Sequence, residues 1–178
     1  MQPENLDDLV AKSLEKGASV AKVLAVKDII TDGRTRLKCQ FGCDSFGRNL
    51  MCPPHTPSHE ECLDILDKYS WAILFEFEIP GEELDMVLAV QREIQDFIET
   101  VEFEAMRIGY NFAFCLNASS CRICERCIAW EGEDNLLCRH PRQARPSMDS
   151  FGIDVITTLK NIGYEETPRS LFALLLVD

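Results

Sequence analysis

Leu6, Leu9, Val10, Ser13 and Leu14 recur at helical spacing ahead of Gly17, and they predict an opening helix from about residue 4 to 16. Residues 20–30 read as a strand. Asp32-Gly33 suits a tight reversal, so residues 34–38 are expected to return as a hairpin partner and deliver the chain to Cys39. Residues 39–57 hold Gly, Pro, Asn and Ser with no period and read as a loop. Ser58 with Glu61 three residues later is a capping-box signature for a helix to about residue 68. Residues 71–79 form a mostly apolar strand that Pro80-Gly81 breaks.

The longest element is a helix over residues 82–108, in which Leu84, Val87, Leu88, Ile94, Phe97, Ile98, Val101, Ala105 and Ile108 make one apolar stripe. Gly109 closes it. A buried strand over 111–116 leads into a second irregular stretch, 117–146. Ser147 is placed to cap a last helix to about residue 161, and residues 171–177 form the final strand. Alternating strands and helices predict an α/β domain spanning 1–178, with a single mixed or mostly parallel sheet of four to five strands. Helices pack on that sheet, and two cysteine-rich metal-binding loops, 39–57 and 117–146, interrupt the pattern.

Composition narrows what such a domain does. With 46% hydrophobic and 27% charged residues in 178, the chain is expected to fold rather than remain disordered. Its net charge of −12 repels phosphate backbones and anionic lipid, so neither nucleic acid nor membrane is an expected partner. The charge is unevenly spread, however. Arg34, Arg36, Lys38 and Arg48 stand against Asp44 alone in residues 34–48, and residues 121–146 hold five arginines against four acidic side chains. Most of the nine cysteines lie in or near these two segments, so basic groups and thiols travel together. The polar, acidic start and the shortness of the apolar runs predict a cytoplasmic protein, where an odd number of thiols stays reduced and available to metal.

The strongest motif is Cys121-x2-Cys124-x2-Cys127, with Cys138 after ten more residues. Three closely spaced thiols wrap one side of an iron–sulfur cubane and a remote fourth closes the last iron, which is the ferredoxin type of spacing. Zinc usually takes separated pairs of ligands; it is the alternative here, with His140 as a possible ligand. The second constellation is Cys39-x3-Cys43-x8-Cys52-Pro53, with three clustered thiols only. Cys62, His55 and His59 are the candidates for a fourth ligand. Cys62 shares a helix face with Ile65, Leu66 and Tyr69, so it also reads as a core thiol. Cys115 lies in a strand and is read as core.

The two cysteine stretches also look alike. Cys52-Pro53-Pro54 followed by Pro57-Ser58 parallels Cys138-Arg139-His140-Pro141 followed by Pro146-Ser147, and each leads to a helix and a strand. Arginines beside a cluster stabilise its reduced state and offer donors to an anion, which makes Arg48, Arg139 and Arg142 candidate cofactor-binding residues. Walker A, G-x-G-x-x-G, H-E-x-x-H and G-x-S-x-G runs are absent, as is the radical S-adenosylmethionine spacing C-x3-C-x2-C.

These motifs resemble a family of predicted cysteine-rich metal-binding proteins found mainly in anaerobic bacteria and archaea. The matching residues are Cys39, Cys43, Phe46-Gly47 and Cys52-Pro53-Pro54, then Cys121, Cys124, Cys127, Cys138-Arg139-His140-Pro141, Ala144, Pro146-Ser147-Met148 and Gly152-Ile153-Asp154-Val155. Phe46 stands where the family often has tyrosine, and Asp149 where it often has glutamate. The resemblance implies metal binding and supplies no reaction.

The sequence therefore predicts an iron–sulfur protein with one or two [4Fe–4S] clusters per chain, transferring electrons in anaerobic metabolism to a redox partner protein. Two alternatives stay open. In one, an open three-cysteine site binds a small anionic or sulfur-containing substrate with help from Arg34, Arg36 or Arg48. In the other, zinc stabilises a partner-binding module. Oligomeric state is not legible.

Overall fold

The computed structural model describes residues 5–132, 136–165 and 168–178. The expected helix start at Glu4 and two acidic residues of the second cysteine stretch, Glu133 and Asp134, lie outside the described residues. Helix α1, Leu6–Glu15, buries Leu6, Leu9 and Ser13, and strand β1, Val20–Ala25, follows it into a 3-10 turn at Val26–Asp28. The hairpin expected after Asp32-Gly33 is instead helix α2, Arg34–Gly42. Gly33 has a helical φ of −58°, not the positive φ of a tight hairpin turn. Asp32 starts the helix instead: its backbone carbonyl accepts the Thr35 N–H at 3.0 Å and its carboxylate the Arg34 N–H at 2.8 Å.

Helix α3, His59–Leu66, has the capping box its sequence predicts. The Ser58 hydroxyl accepts the Glu61 N–H at 3.2 Å, and the Glu61 carboxylate accepts the Ser58 N–H at 2.7 Å. Strand β2, Trp71–Glu78, leads to α4, Leu84–Arg107, whose 24 residues make a rod of about 36 Å. Strand β3, Phe114–Leu116, the single turn α5, Ile128–Glu131, helix α6, Val155–Asn161, and strand β4, Ser170–Val177, complete the order. The last helix does not begin at Ser147. Gly152, at φ 87°, separates a 3-10 turn over Asp149–Phe151 from α6, which Asp154 caps by accepting the Thr157 N–H at 3.0 Å.

The four strands lie in the order β1-β2-β4-β3, and every neighbouring pair is antiparallel. This corrects the expected mixed or mostly parallel sheet. A single crossover helix would deliver the chain to the opposite end of the sheet and make neighbours parallel. Between β1 and β2 the chain instead makes α2, the first cysteine turn and α3, and returns to the end it left, with Ala25 opposite Trp71. Helix α4 is a true crossover, but it joins β2 to β3, which point the same way with β4 between them. Each half of the chain reads helix, strand, cysteine stretch, helix, strand, and the sheet order sets the halves symmetrically about the β2–β4 seam.

Helices cover both faces. Ile73, Phe75 and Phe77 alternate from β2 onto α1 and α4, where the Phe97 ring stands edge-on to both Phe75 and Phe77 at 4.9 Å. Ala72 and Leu74 point the other way, onto α3, α6 and the 3-10 turns, with Leu174 and Leu176 beside them. A sheet sandwiched in this way leaves the two cysteine stretches at the margin of the second apolar layer, where Met148 and Phe151 anchor them.

Candidate metal centre

Helix α2 carries Cys39 and ends at Cys43, so the first constellation begins on a helix rather than in a loop. The chain then turns tightly, with the Gly47 N–H on the Pro53 carbonyl at 2.9 Å and the Cys52 N–H on the Asn49 carbonyl at 3.0 Å. Cys43 is exposed, Cys39 half-buried and Cys52 buried. The second constellation, Cys121, Cys124, Cys127 and Cys138, is half-buried throughout and lines one cavity of about 470 Å³.

The first stretch supplies part of the wall of that cavity through Arg48, Asn49, Leu50 and Met51. Asn49 is buried; its side-chain amide donates to the Cys121 carbonyl at 2.8 Å, while its amide oxygen accepts the Met51 N–H at 3.0 Å. The Leu50 N–H points at the Cys127 sulfur at 3.4 Å, and the His140 N–H at the Cys138 sulfur at 3.4 Å. Backbone N–H groups aimed at thiol sulfurs stabilise the thiolate form that metal ligation requires.

The two groups of thiols share one electrostatic environment. Burial pushes the Cys52 thiol up to about 12, and the neighbouring Cys43, Cys39, Cys121 and Cys127 push it the same way. Burial also raises Cys121, with Cys138, Cys124 and Cys127 adding to it against a backbone hydrogen bond from Ile123. Crowded thiols resist becoming thiolates together unless a cation joins them, and metal binding would displace their protons. Among the described residues, no three His, Cys, Asp or Glu side chains converge closely enough to hold a single metal ion as they stand.

Of the three candidate fourth ligands of the first group, Cys62 and His55 are engaged elsewhere, while the buried His59 Nδ1 has no hydrogen-bond partner among the described residues. Cys62 is fully buried in the second apolar layer, and its thiol donates to the Pro57 carbonyl at 3.6 Å. The His55 ring contacts the Gly47 carbonyl at 3.3 Å, and the His59 ring packs against Gly33 and Gly152. Cys62→Ala is therefore expected to leave the metal content of purified protein unchanged, as elemental analysis would show, while costing about 1 kcal/mol of stability. Cys115 is fully buried in β3. Arg48 stacks on the Trp130 ring at 4.4 Å, Arg139 pairs with Glu131 at 2.5 Å, and Arg142 is exposed.

A buried polar network that the sequence reading passed over holds the second stretch in place. Gln95 of α4 donates to the Gln143 carbonyl at 2.8 Å and accepts from the Asn117 side chain at 2.9 Å. Gln143 in turn donates to Glu99 at 2.9 Å. Glu102, only 4% exposed, takes the Cys115 N–H at 2.7 Å and the Arg145 guanidinium at 2.8 Å through Nε, with a second contact through Nη2. Arg145 also donates to the Ala144 carbonyl at 2.8 Å and lies over the Phe114 ring. A signal was present: Gln95 and Glu102 fall in helical register with Ile98 and Ala105 on the apolar stripe of α4, and a polar residue there needs a buried partner.

The fold is a mixed α/β one, and it brings seven thiols of two stretches to one side of the sheet, four of them around one cavity. The chain belongs to the family described as predicted metal-binding protein (DUF2284), whose model matches residues 22–173 and so takes in all nine cysteines. No curated protein and no solved structure matches it. No helix among the described residues is long and apolar enough to cross a membrane.

Proposed function

We propose that this chain is an iron–sulfur electron-transfer protein, with a [4Fe–4S] cluster on Cys121, Cys124, Cys127 and Cys138 and a second metal group at Cys39, Cys43 and Cys52. The observation that carries the reading is the single cavity of about 470 Å³ lined by four thiols from one ferredoxin-spaced motif. The close C-x2-C-x2-C run with a remote fourth cysteine is the ferredoxin pattern, whereas zinc usually takes separated pairs of ligands. When bound, such a cluster accepts and releases one electron at a time. The protein's own part is to exclude water with Leu50 and Met51, to aim N–H groups at Cys127 and Cys138, and to set positive charge near the sulfurs through Arg48 and Arg126. The N–H groups and the positive charge favour the reduced state, whereas excluding water opposes it, because the reduced cluster carries one more negative charge.

Protein purified without air is expected to be brown and to contain roughly four to eight irons per chain with matching acid-labile sulfide. A colourless product with stoichiometric zinc would remove the iron–sulfur reading. One observation favours a second reading, an enzyme with an open metal position: Cys39, Cys43 and Cys52 lie within electrostatic reach of one another while Cys62 and His55 are both engaged elsewhere. Cyanide or a small thiol that perturbs the spectrum of only part of the bound iron would support it.

A further inference from the structure

The charged side chains lining the four-cysteine cavity are unlike those of the protein as a whole. The chain carries −12, yet the described lining holds Arg48, Arg92, Arg122, Arg126 and Arg139 against Glu125 alone. Arg139 is paired with Glu131. Arg48 and Arg126 instead lie over the ring of Trp130, at 4.4 and 5.8 Å, and the indole is 47% exposed. Stacked guanidinium and indole groups lose little freedom when a partner lands on them, and Trp and Arg dominate the energetic centres of protein interfaces. A site for a free small anion would instead be expected to enclose its arginines, and Arg48, Arg92, Arg122 and Arg126 are all exposed.

We infer that this arginine and tryptophan face is the docking surface for an acidic electron-carrier protein, an inference that rests on the iron–sulfur reading for the word electron. Charge complementarity selects the partner. At physiological ionic strength the screening length is about 8 Å, so an approaching acidic surface feels the local arginines rather than the distant acidic shell. A like-charged remainder then keeps the partner from settling anywhere else. In the docked pair one electron would leave the reduced centre of the carrier and reduce the cluster that Cys121, Cys124, Cys127 and Cys138 would hold, with no bond made or broken.

The test uses an acidic [2Fe–2S] ferredoxin as the probe and the full chain purified without air, at about 0.15 M ionic strength. Calorimetry of oxidised ferredoxin with the wild-type protein should give measurable binding, and the double variant R48E/R126E should lose about tenfold or more in affinity. Trp130→Ala, which changes no charge, should weaken binding as well. Stopped-flow reduction of Trp130→Ala, which keeps both arginines near the sulfurs, should slow with ferredoxin in proportion to its lost affinity, but much less with dithionite. Equal affinities for wild type and R48E/R126E, or no binding by wild type, would overturn the docking face. Equal slowing of Trp130→Ala with dithionite and with ferredoxin would overturn it too, because the indole would then act on the cluster itself and not on the partner. An iron-free protein that binds ferredoxin through the same arginines would remove the cluster and keep the face. Iron-loaded protein indifferent to both substitutions would do the reverse.

Discussion

Replacing Arg145 with leucine is expected to destabilise the protein by about 3–5 kcal/mol, the cost of leaving one member of a buried ion pair without its partner. The side chains of Arg145 and Glu102 are only 13% and 6% exposed, so water cannot take over the lost contact. The same substitution frees the Ala144 and Pro141 carbonyls, which the guanidinium holds at 2.8 and 3.4 Å, and so loosens the exit of the second cysteine stretch. Urea unfolding of R145L should show the loss, and the bound metal should pass to a chelator faster than from wild type. Adding Glu102→Gln should recover part of the stability, since the orphaned charge is then gone and the Cys115 N–H keeps an acceptor. If R145L unfolds within 1 kcal/mol of wild type, the pair does not clamp this stretch.

Cys138→Ser is expected to abolish the cluster at the second constellation, with loss of half or more of the iron and of the visible absorption. In the proposed cluster Cys138 is the remote ligand, and its loss would leave one corner of a cubane without a thiolate. The more discriminating variant is Asn49→Ala, which removes no sulfur. Asn49 belongs to the first stretch but holds the Cys121 carbonyl, and it orders the turn that brings the Leu50 N–H to Cys127. Removing such an outer contact typically costs 10–100-fold in metal affinity, so N49A should load normally under excess iron and lose metal faster under chelation. Iron counted after timed exposure to a chelator would check it. Retention equal to wild type would show that the two stretches act independently.

Much of the secondary structure was legible because its causes are local. The stripe of α4, the Ser58–Glu61 box of α3 and the apolar runs of β2 and β4 each state their element within a few residues. Two readings failed where a local signal was ambiguous. Asp-Gly opens a hairpin when glycine takes a positive φ and starts a helix when it does not, and Gly33 takes the second course. Ser147 looks like a helix cap, but Gly152 intervenes, and Asp154 does the capping. The direction of the sheet failed for another reason. Alternating periods show that strands and helices follow one another, but not how many times the chain crosses the sheet between two strands.

The candidate site divides the same way. The ligand types and the ferredoxin spacing of Cys121, Cys124, Cys127 and Cys138 are properties of one short stretch and can be read without the fold. That Cys52 lies in the electrostatic reach of Cys121 and Cys127, that Leu50 faces Cys127, and that Cys62 is buried in an apolar layer depend on where separate segments meet. The chain by itself determined the thiol spacing on which the metal proposal rests, most of the helices and strands around it, and the local excess of arginine beside the thiols. Only the tertiary structure decided the antiparallel order, the joining of the two cysteine stretches, and the buried Gln95, Glu102 and Arg145 network that holds the second of them. Short-range propensity acts between residues a few positions apart, whereas desolvation and hydrogen bonding between residues such as Glu102 and Arg145 exist only once the core has closed around them.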